Sequence, residues 1–238
     1  GGAGMAEALG YRFYDKENFI LPALPDRLEE LVRISPPATV GTLPELLVAC
    51  DVDNPLLGAR GATRVYGPQK GIREEELTRF EARLVAMADA AETMVEKPLR
   101  DLPGAGAAGG LGFGLMAFCD AQLHPGFELV AEITQLREQI TAADLIITGE
   151  GSLDAQTLHG KGPAGVAAMA HAQGKPVLAI CGVTDPEVPG LNKVFSLILP
   201  LRPLASSTEE AIAHAAELIS HAIRESQDLI RPLVRASS

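Results

Sequence analysis

Tryptophan is absent from this 238-residue sequence, and aromatic residues make up only 4% of it. With 47% of residues apolar, the core must be built from Ala, Leu, Ile and Val, the composition of helices layered on a sheet. Basic residues are outnumbered, 20 Lys and Arg against 31 Asp and Glu, for a net charge of −11. That deficit excludes the broad basic surface that nucleic acid requires. It leaves room for a small anion held by a few local donors.

Cysteine is scarce as well. Cys50, Cys119 and Cys181 lie far apart in apolar settings, without the paired spacing of a disulfide framework or a zinc site. The expectation is buried, reduced thiols in a cytoplasmic protein. No apolar run is long enough to cross a membrane, and no secretory signal is visible. The chain opens GGAGM with no initiator Met at position 1, which reads as a fragment.

What is present is organised around residues 142–163, AADLIITGEGSLDAQTLHGKGP. A short apolar run predicts a buried strand at 145–147. Thr148, Glu150, Ser152, Asp154, Gln156, Thr157, His159 and Lys161 then follow among glycines, and Pro163 suits the first turn of a helix. A strand that ends in a polar loop and turns into a helix is where open α/β sheets bind ligands. Strand–loop–helix repeats continue with strands at 177–181 and 194–199, helices at 163–173 and 208–224, and an amphipathic helix at 127–140 before them.

The first half predicts helices at 3–10, at 26–34 from the spacing of Leu28, Leu31 and Val32, from about 56, and at 74–96, with a strand at 11–14 and a buried strand at 46–49. The strand at 46–49 leads into a second polar loop holding Asp51, Asp53 and Asn54, then Gln69 and Lys70 between Gly67 and Gly71. A change of pattern at His124–Pro125–Gly126 places a domain boundary there, dividing the chain into 1–123 and 124–238.

A third loop carries glycine at Gly104, Gly106, Gly109 and Gly110, and its first three fit G-x-G-x-x-G. Two readings stay open: a backbone cradle for phosphate, or close packing of a helix start. The glycine density favours the first, since each glycine in a helix costs about 1 kcal/mol relative to alanine. No convincing strand precedes the motif, so it is a weak dinucleotide fingerprint. Gly160–Lys161 lacks the remainder of a Walker A loop, and Ser152 lacks a G-x-S-x-G elbow.

Glu150 and Asp154, four apart on the expected loop, could hold Mg²⁺; alternatively one is a general base for a hydroxyl. Lys161 or Lys70 could neutralise a transferring phosphoryl group. Each also has a plain reading: a loop cap for Asp154 or Ser152, a solvated lysine, a solvent-facing His159.

Taken together, DVDNPLLGARGATRVYGPQKG, LPGAGAAGGLGFGL and DLIITGEGSLDAQTLHGKGPAGVA resemble the glycerate kinase family of the bacterial glyoxylate and sugar-acid pathways. The blocks occur in that family's order along essentially the whole chain. The resemblance implies ATP-dependent phosphorylation of D-glycerate, with ATP and Mg²⁺ as cofactors. It also implies a two-domain α/β protein whose Rossmann-like parallel sheet, with helices on both faces, is interrupted by an inserted α/β domain. The site would lie in the cleft between them. By the same match, residues 1–123 are the remaining part of the insertion and 124–238 the C-terminal part of the Rossmann-like domain.

The matching positions are Asp51, Asn54, Gln69 and Lys70, the glycines at 104, 106, 109 and 110, and Glu150, Ser152, Asp154, Gln156, Thr157 and Lys161. On chemical grounds Glu150 and Asp154 are the expected metal ligands, and Lys161 and Lys70 the catalytic cations. Gly104, Gly106, Gly109, Gly110, Ser152, Gln156, Thr157, Asp51 and Asn54 are the expected substrate or nucleotide contacts. Family members begin with a strand and an acidic loop that have no counterpart here, so an N-terminal part is expected to be missing. The rival readings are a non-catalytic module that binds a sugar acid or nucleotide, and an NAD(P) dehydrogenase resting on the glycine motif alone. A homodimer stays open.

Overall fold

The computed structural model describes residues 1–38, 43–155, 157–159, 162–185 and 188–235. Its chain forms two compact units, Gly1–Gly126 and Phe127–Ser238.

The first unit opens with α1 (Ala3–Ala8), then β1 (Arg12–Tyr14), β2 (Ile20–Leu21) and β3 (Arg33–Ser35). These strands form an antiparallel sheet in the order β2-β1-β3, with Phe13 opposite Ile34. The helix expected at 26–34 is instead a 3₁₀ turn, Pro25–Glu30, followed by β3. Leu28 and Leu31 are buried, but Val32, the third residue of that spacing, is exposed. Past them, however, the burial alternates about Ile34, and the pairing of Arg33 with Tyr14 captures the segment into the sheet.

β4 (Leu47–Ala49) runs parallel to β5 (Gln122–His124). It was expected to be buried, yet it is half exposed, with Leu47 at 48%. Between these strands lie α2 (Ala62–Tyr66), α3 (Leu77–Val95) and α4 (Ala107–Cys119). The helix expected from about residue 56 starts only at Ala62, because Leu56 through Gly61 form turns. Phe13, Leu56, Met87, Phe113 and Phe118 meet in one core. Tyr11 packs edge-on against Phe118, and its hydroxyl donates to the Phe118 carbonyl at 2.9 Å.

In the second unit α5 (Gly126–Ile133) and α6 (Leu136–Ala142) replace the single helix expected at 127–140. The break falls at Gln135, whose φ of 53° is left-handed. Next come β6 (Ile146–Leu153), α7 (Pro163–His171), β7 (Val177–Thr184), α8 (Leu191–Val194) and β8 (Leu197–Pro200). α9 (Thr208–Ala213), α10 (Ala215–Glu225) and α11 (Gln227–Arg235) finish the chain. The helix expected at 208–224 is thus interrupted at His214. Part of the strand expected at 194–199 is α8, with β8 starting at Leu197.

β6, β7 and β8 form a parallel sheet in that order. Alternate residues of β7 feed two cores. Val177, Ala179 and Cys181 join Ala167 and Ala170 of α7, while Leu178 joins Leu199 and Ala222 of α10. Helices therefore cover both faces of the sheet, as the α/β reading requires. Gly165 allows α7 to approach α5: a Cβ there would lie 2.6 Å from the Phe127 ring.

Candidate functional site

The largest departure from the sequence reading lies at the organising stretch. The strand expected at 145–147 continues to Leu153, so Thr148, Glu150 and Ser152 belong to β6 rather than to a loop. Two glycines permit this extension. A Cβ on Gly149 would sit 2.2 Å from the Ile180 carbonyl oxygen, and one on Gly182 would sit 2.6 Å from that of Gly151. Bare backbone lets β6 and β7 stay paired through Leu153 and Thr184.

Glu150 thus stands half-buried at the carboxyl end of β6, directly across from Cys181. Its Oε1 accepts the Thr157 hydroxyl proton at 2.5 Å. The Thr157 Oγ1 in turn accepts from the Asp154 amide at 3.1 Å, and the Thr157 amide donates to the Asp154 carbonyl, also at 3.1 Å. Ser152 Oγ is 3.4 Å from Asp154 Oδ2. Thr157 is 4% exposed. The Cys181 thiol is pushed up to about 11 by burial and then by the negative charge of Glu150. Gln156, Lys161 and Gly160 lie outside the described residues. α7 follows directly, with Pro163 in its first turn as the sequence indicates.

Among the described residues no three His, Cys, Asp or Glu side chains gather as a metal site. The donor set here is two hard carboxylates and a hydroxyl. That does not suit a closed zinc site, but it suits Mg²⁺, which keeps several waters and takes one or two protein carboxylates together with substrate phosphates.

The first unit holds the other expected residues. Both ends of the Asn54 amide help shape its own loop: Nδ2 donates to the Arg60 carbonyl at 2.7 Å and Oδ1 accepts from the Tyr66 hydroxyl at 2.7 Å. Its backbone carbonyl accepts the Gly106 amide at 2.9 Å. Asp51 Oδ1 accepts the Gly126 amide at 3.0 Å, and Asp53 pairs with Arg60 at 2.8 Å.

In the glycine loop, close packing accounts for three of the four glycines and not for the fourth. A Cβ on Gly104 would meet Cys50 Sγ at 2.8 Å, on Gly106 the Pro55 carbonyl at 2.3 Å, and on Gly110 the Leu56 side chain at 2.7 Å. Packing therefore explains these three. Gly109 differs: its φ is 74°, and the nearest atom to an added Cβ is Lys70 Nζ at 3.5 Å. Ala108, Gly109 and Gly110 all have positive φ, so regular right-handed helix starts only at residue 111.

Lys70 ends the 3₁₀ turn Pro68–Lys70. With Thr63, Tyr66, Phe80, Arg83 and Gly109 it lines a cavity of about 190 Å³. Arg83 is a residue that sequence reasoning missed, because a lone arginine in a helical pattern reads as solvated. It is 3% exposed, donates to Asp26 and Glu29 at 2.8 Å, and lies 4.6 Å over the Phe80 ring. The cation of Arg79, then that of Arg83, holds the Glu29 carboxyl below its ordinary range.

The fold and this cluster define an α/β protein that gathers its polar side chains at the carboxyl end of a parallel strand, where such sheets bind ligands. Comparison with known proteins gives the family. The glycerate kinase family model matches residues 1–231, and the chain belongs to that family. It is 42% identical over 231 residues to a glycerate kinase of Halalkalibacterium halodurans, covering 94% of this chain and 60% of the relative. It is 38% identical to a glycerate 2-kinase of Escherichia coli, with the same coverage of 94% and 60%. A crystal structure described as "putative glycerate kinase 2 from Salmonella typhimurium LT2" superposes with a TM-score of 0.76 at 34% identity, over 97% of this chain and 61% of that one. The chain spans about 60% of the length of the curated relatives it matches.

Proposed function

We propose that this chain takes part in ATP-dependent phosphorylation of D-glycerate to a phosphoglycerate. The observation that carries the reading is the Glu150–Thr157–Asp154 cluster at the end of β6, in a chain that belongs to the glycerate kinase family. Phosphoryl transfer asks for positioning and electrostatic stabilisation more than for covalent chemistry by the protein, and this cluster supplies both.

Glu150 and Asp154 are the residues that would hold Mg²⁺, which when bound neutralises charge on the nucleotide phosphates. Ser152, exposed beside Asp154, offers a hydroxyl donor to a phosphate or to the acid. Lys70, with the left-handed turn at Gly109 beside it, is the cation assigned to an anionic group of substrate or nucleotide. Lys161 is assigned the same task on sequence grounds. We assign Gly1–Gly126 to the inserted domain and Phe127–Ser238 to the Rossmann-like domain. A cytoplasmic setting is supported by the three free thiols. No helix among the described residues is long and apolar enough to cross a membrane.

The test is glycerate-dependent ADP formation with Mg-ATP, with phosphoglycerate followed by ³¹P NMR. Phosphoglycerate appearing only when protein, Mg-ATP and glycerate are all present supports the reading. Bound nucleotide without phosphoglycerate supports a binding module instead, and protection by NAD(P) but not by Mg-ATP would point to a dehydrogenase.

A further inference from the structure

We infer that Thr157 is a positioning residue: its buried hydroxyl fixes the Glu150 carboxylate for a divalent cation and does not itself touch substrate or nucleotide. The inference rests on the reading of Glu150 as a cation ligand. It departs from the sequence expectation, which placed Thr157 among the direct contacts.

The proton count decides the direction of the bonds. A backbone amide can only donate, so the Asp154 amide fills one lone pair of Thr157 Oγ1 at 3.1 Å. The hydroxyl carries a single proton, and Glu150 Oε1 at 2.5 Å receives it. A hydroxyl donating to an ionised carboxylate has the short contact that is seen here. With Thr157 4% exposed, the hydroxyl has no remaining proton for a ligand.

The consequence falls on Glu150. A glutamate side chain is rich in rotamers, and ordering it opposes binding; here the order exists before any ligand arrives. Thr157 occupies one lone pair of Oε1, which fixes where the remaining lone pairs of the carboxylate can meet a cation. Across the strand Cys181 offers only a weak sulfhydryl, so Thr157 sets the rotamer. Outer partners of this kind typically change metal affinity by about 10- to 100-fold when removed.

The test uses Mn²⁺ as the probe, with free ion measured by EPR during titration of the wild-type chain and of Thr157→Val, Thr157→Ser and Glu150→Gln. Valine has the shape of threonine without its hydroxyl, and serine keeps the hydroxyl. Thermal unfolding midpoints are recorded for all. The expected result is Mn²⁺ affinity about 10- to 100-fold weaker in Thr157→Val, wild-type affinity in Thr157→Ser, and the weakest binding in Glu150→Gln. If the valine variant does not fold, Thr157→Ala takes its place, since it cannot overpack the site.

Wild-type affinity in Thr157→Val alongside weakened binding in Glu150→Gln overturns the inference and leaves the cation reading standing. Equal weakening in the serine and valine variants also overturns it, because loss of packing would then be the cause. Unchanged binding in Glu150→Gln, or none in the wild type, overturns the cation reading of Glu150 and the inference with it.

Discussion

Glu150 and Cys181 stand opposite each other on adjacent parallel strands, a carboxylate beside a thiol. Burial and then that neighbouring negative charge push the Cys181 thiol up to about 11. At pH 8 only about a thousandth of such a group is thiolate, the reactive form. Cys181 is therefore expected to resist iodoacetamide in the native protein and to label fully once the chain is unfolded. Adduct mapping by mass spectrometry checks this, and native labelling of Cys181 as fast as that of Cys50 would refute it.

Two glycines on β6 should answer very differently to alanine. Gly149→Ala would drive a methyl to 2.2 Å from the Ile180 carbonyl, whereas Gly151→Ala meets nothing within 4 Å. The first is expected to cost about 1–3 kcal/mol by forcing the strands apart, and the second to fall within about 0.5 kcal/mol of wild type. Urea denaturation of the pair measures the difference. Equal midpoints would mean that β6 and β7 are not held this closely.

Acid stability should depend on Glu92. Burial opposes its charge, but Arg100 and the amides of Leu99 and Arg100 outweigh that and hold its carboxyl below the ordinary 4.5. A carboxyl depressed on folding adds stability above about pH 4.5, and this is lost as pH falls through the lower folded value. Glu92→Ala is expected to cost about 2 kcal/mol at neutral pH and to flatten stability below pH 4.5. A midpoint unchanged at pH 7 would show that the network adds nothing.

Asp154→Asn tests the proposed chemistry directly. Its carbonyl and amide still serve the Thr157 turn, so the circular dichroism spectrum and melting midpoint should stay near wild type. Turnover should drop by at least about a hundredfold if the charge holds the cation. Near-normal phosphoglycerate formation would remove Asp154 from the mechanism.

The sequence shows the periodic elements well and the interrupted ones poorly. Leu77, Met87 and their neighbours announced α3 by helical spacing alone, and the α7 start at Pro163 was equally plain. Gln135 and His214 break their helices without any Gly or Pro to mark the place. Gly149 looks like a loop residue in the sequence, although in β6 it serves strand-to-strand approach. That information lies in the backbone of β7, not in the local sequence. Asp154, Glu150 and Thr157 were recognised together, yet which of them faces a ligand depends on a proton direction that only geometry supplies. Arg83 was invisible for the same reason, since its partners Asp26 and Glu29 come from a distant turn.

Placing Glu150 within the β6 ladder ties reactivity to strand pairing. In a loop, adding or removing one residue upstream would shift the carboxylate by a few ångströms. In a strand it rotates the side chain to the opposite face, away from Thr157 and onto the side that carries the exposed Ile147. Ile147 and Thr148 should therefore accept side-chain substitutions far more readily than the strand accepts any change in length. Insertions that leave the sheet intact would disconnect the acid from its hydroxyl partner in a protein that still looks folded.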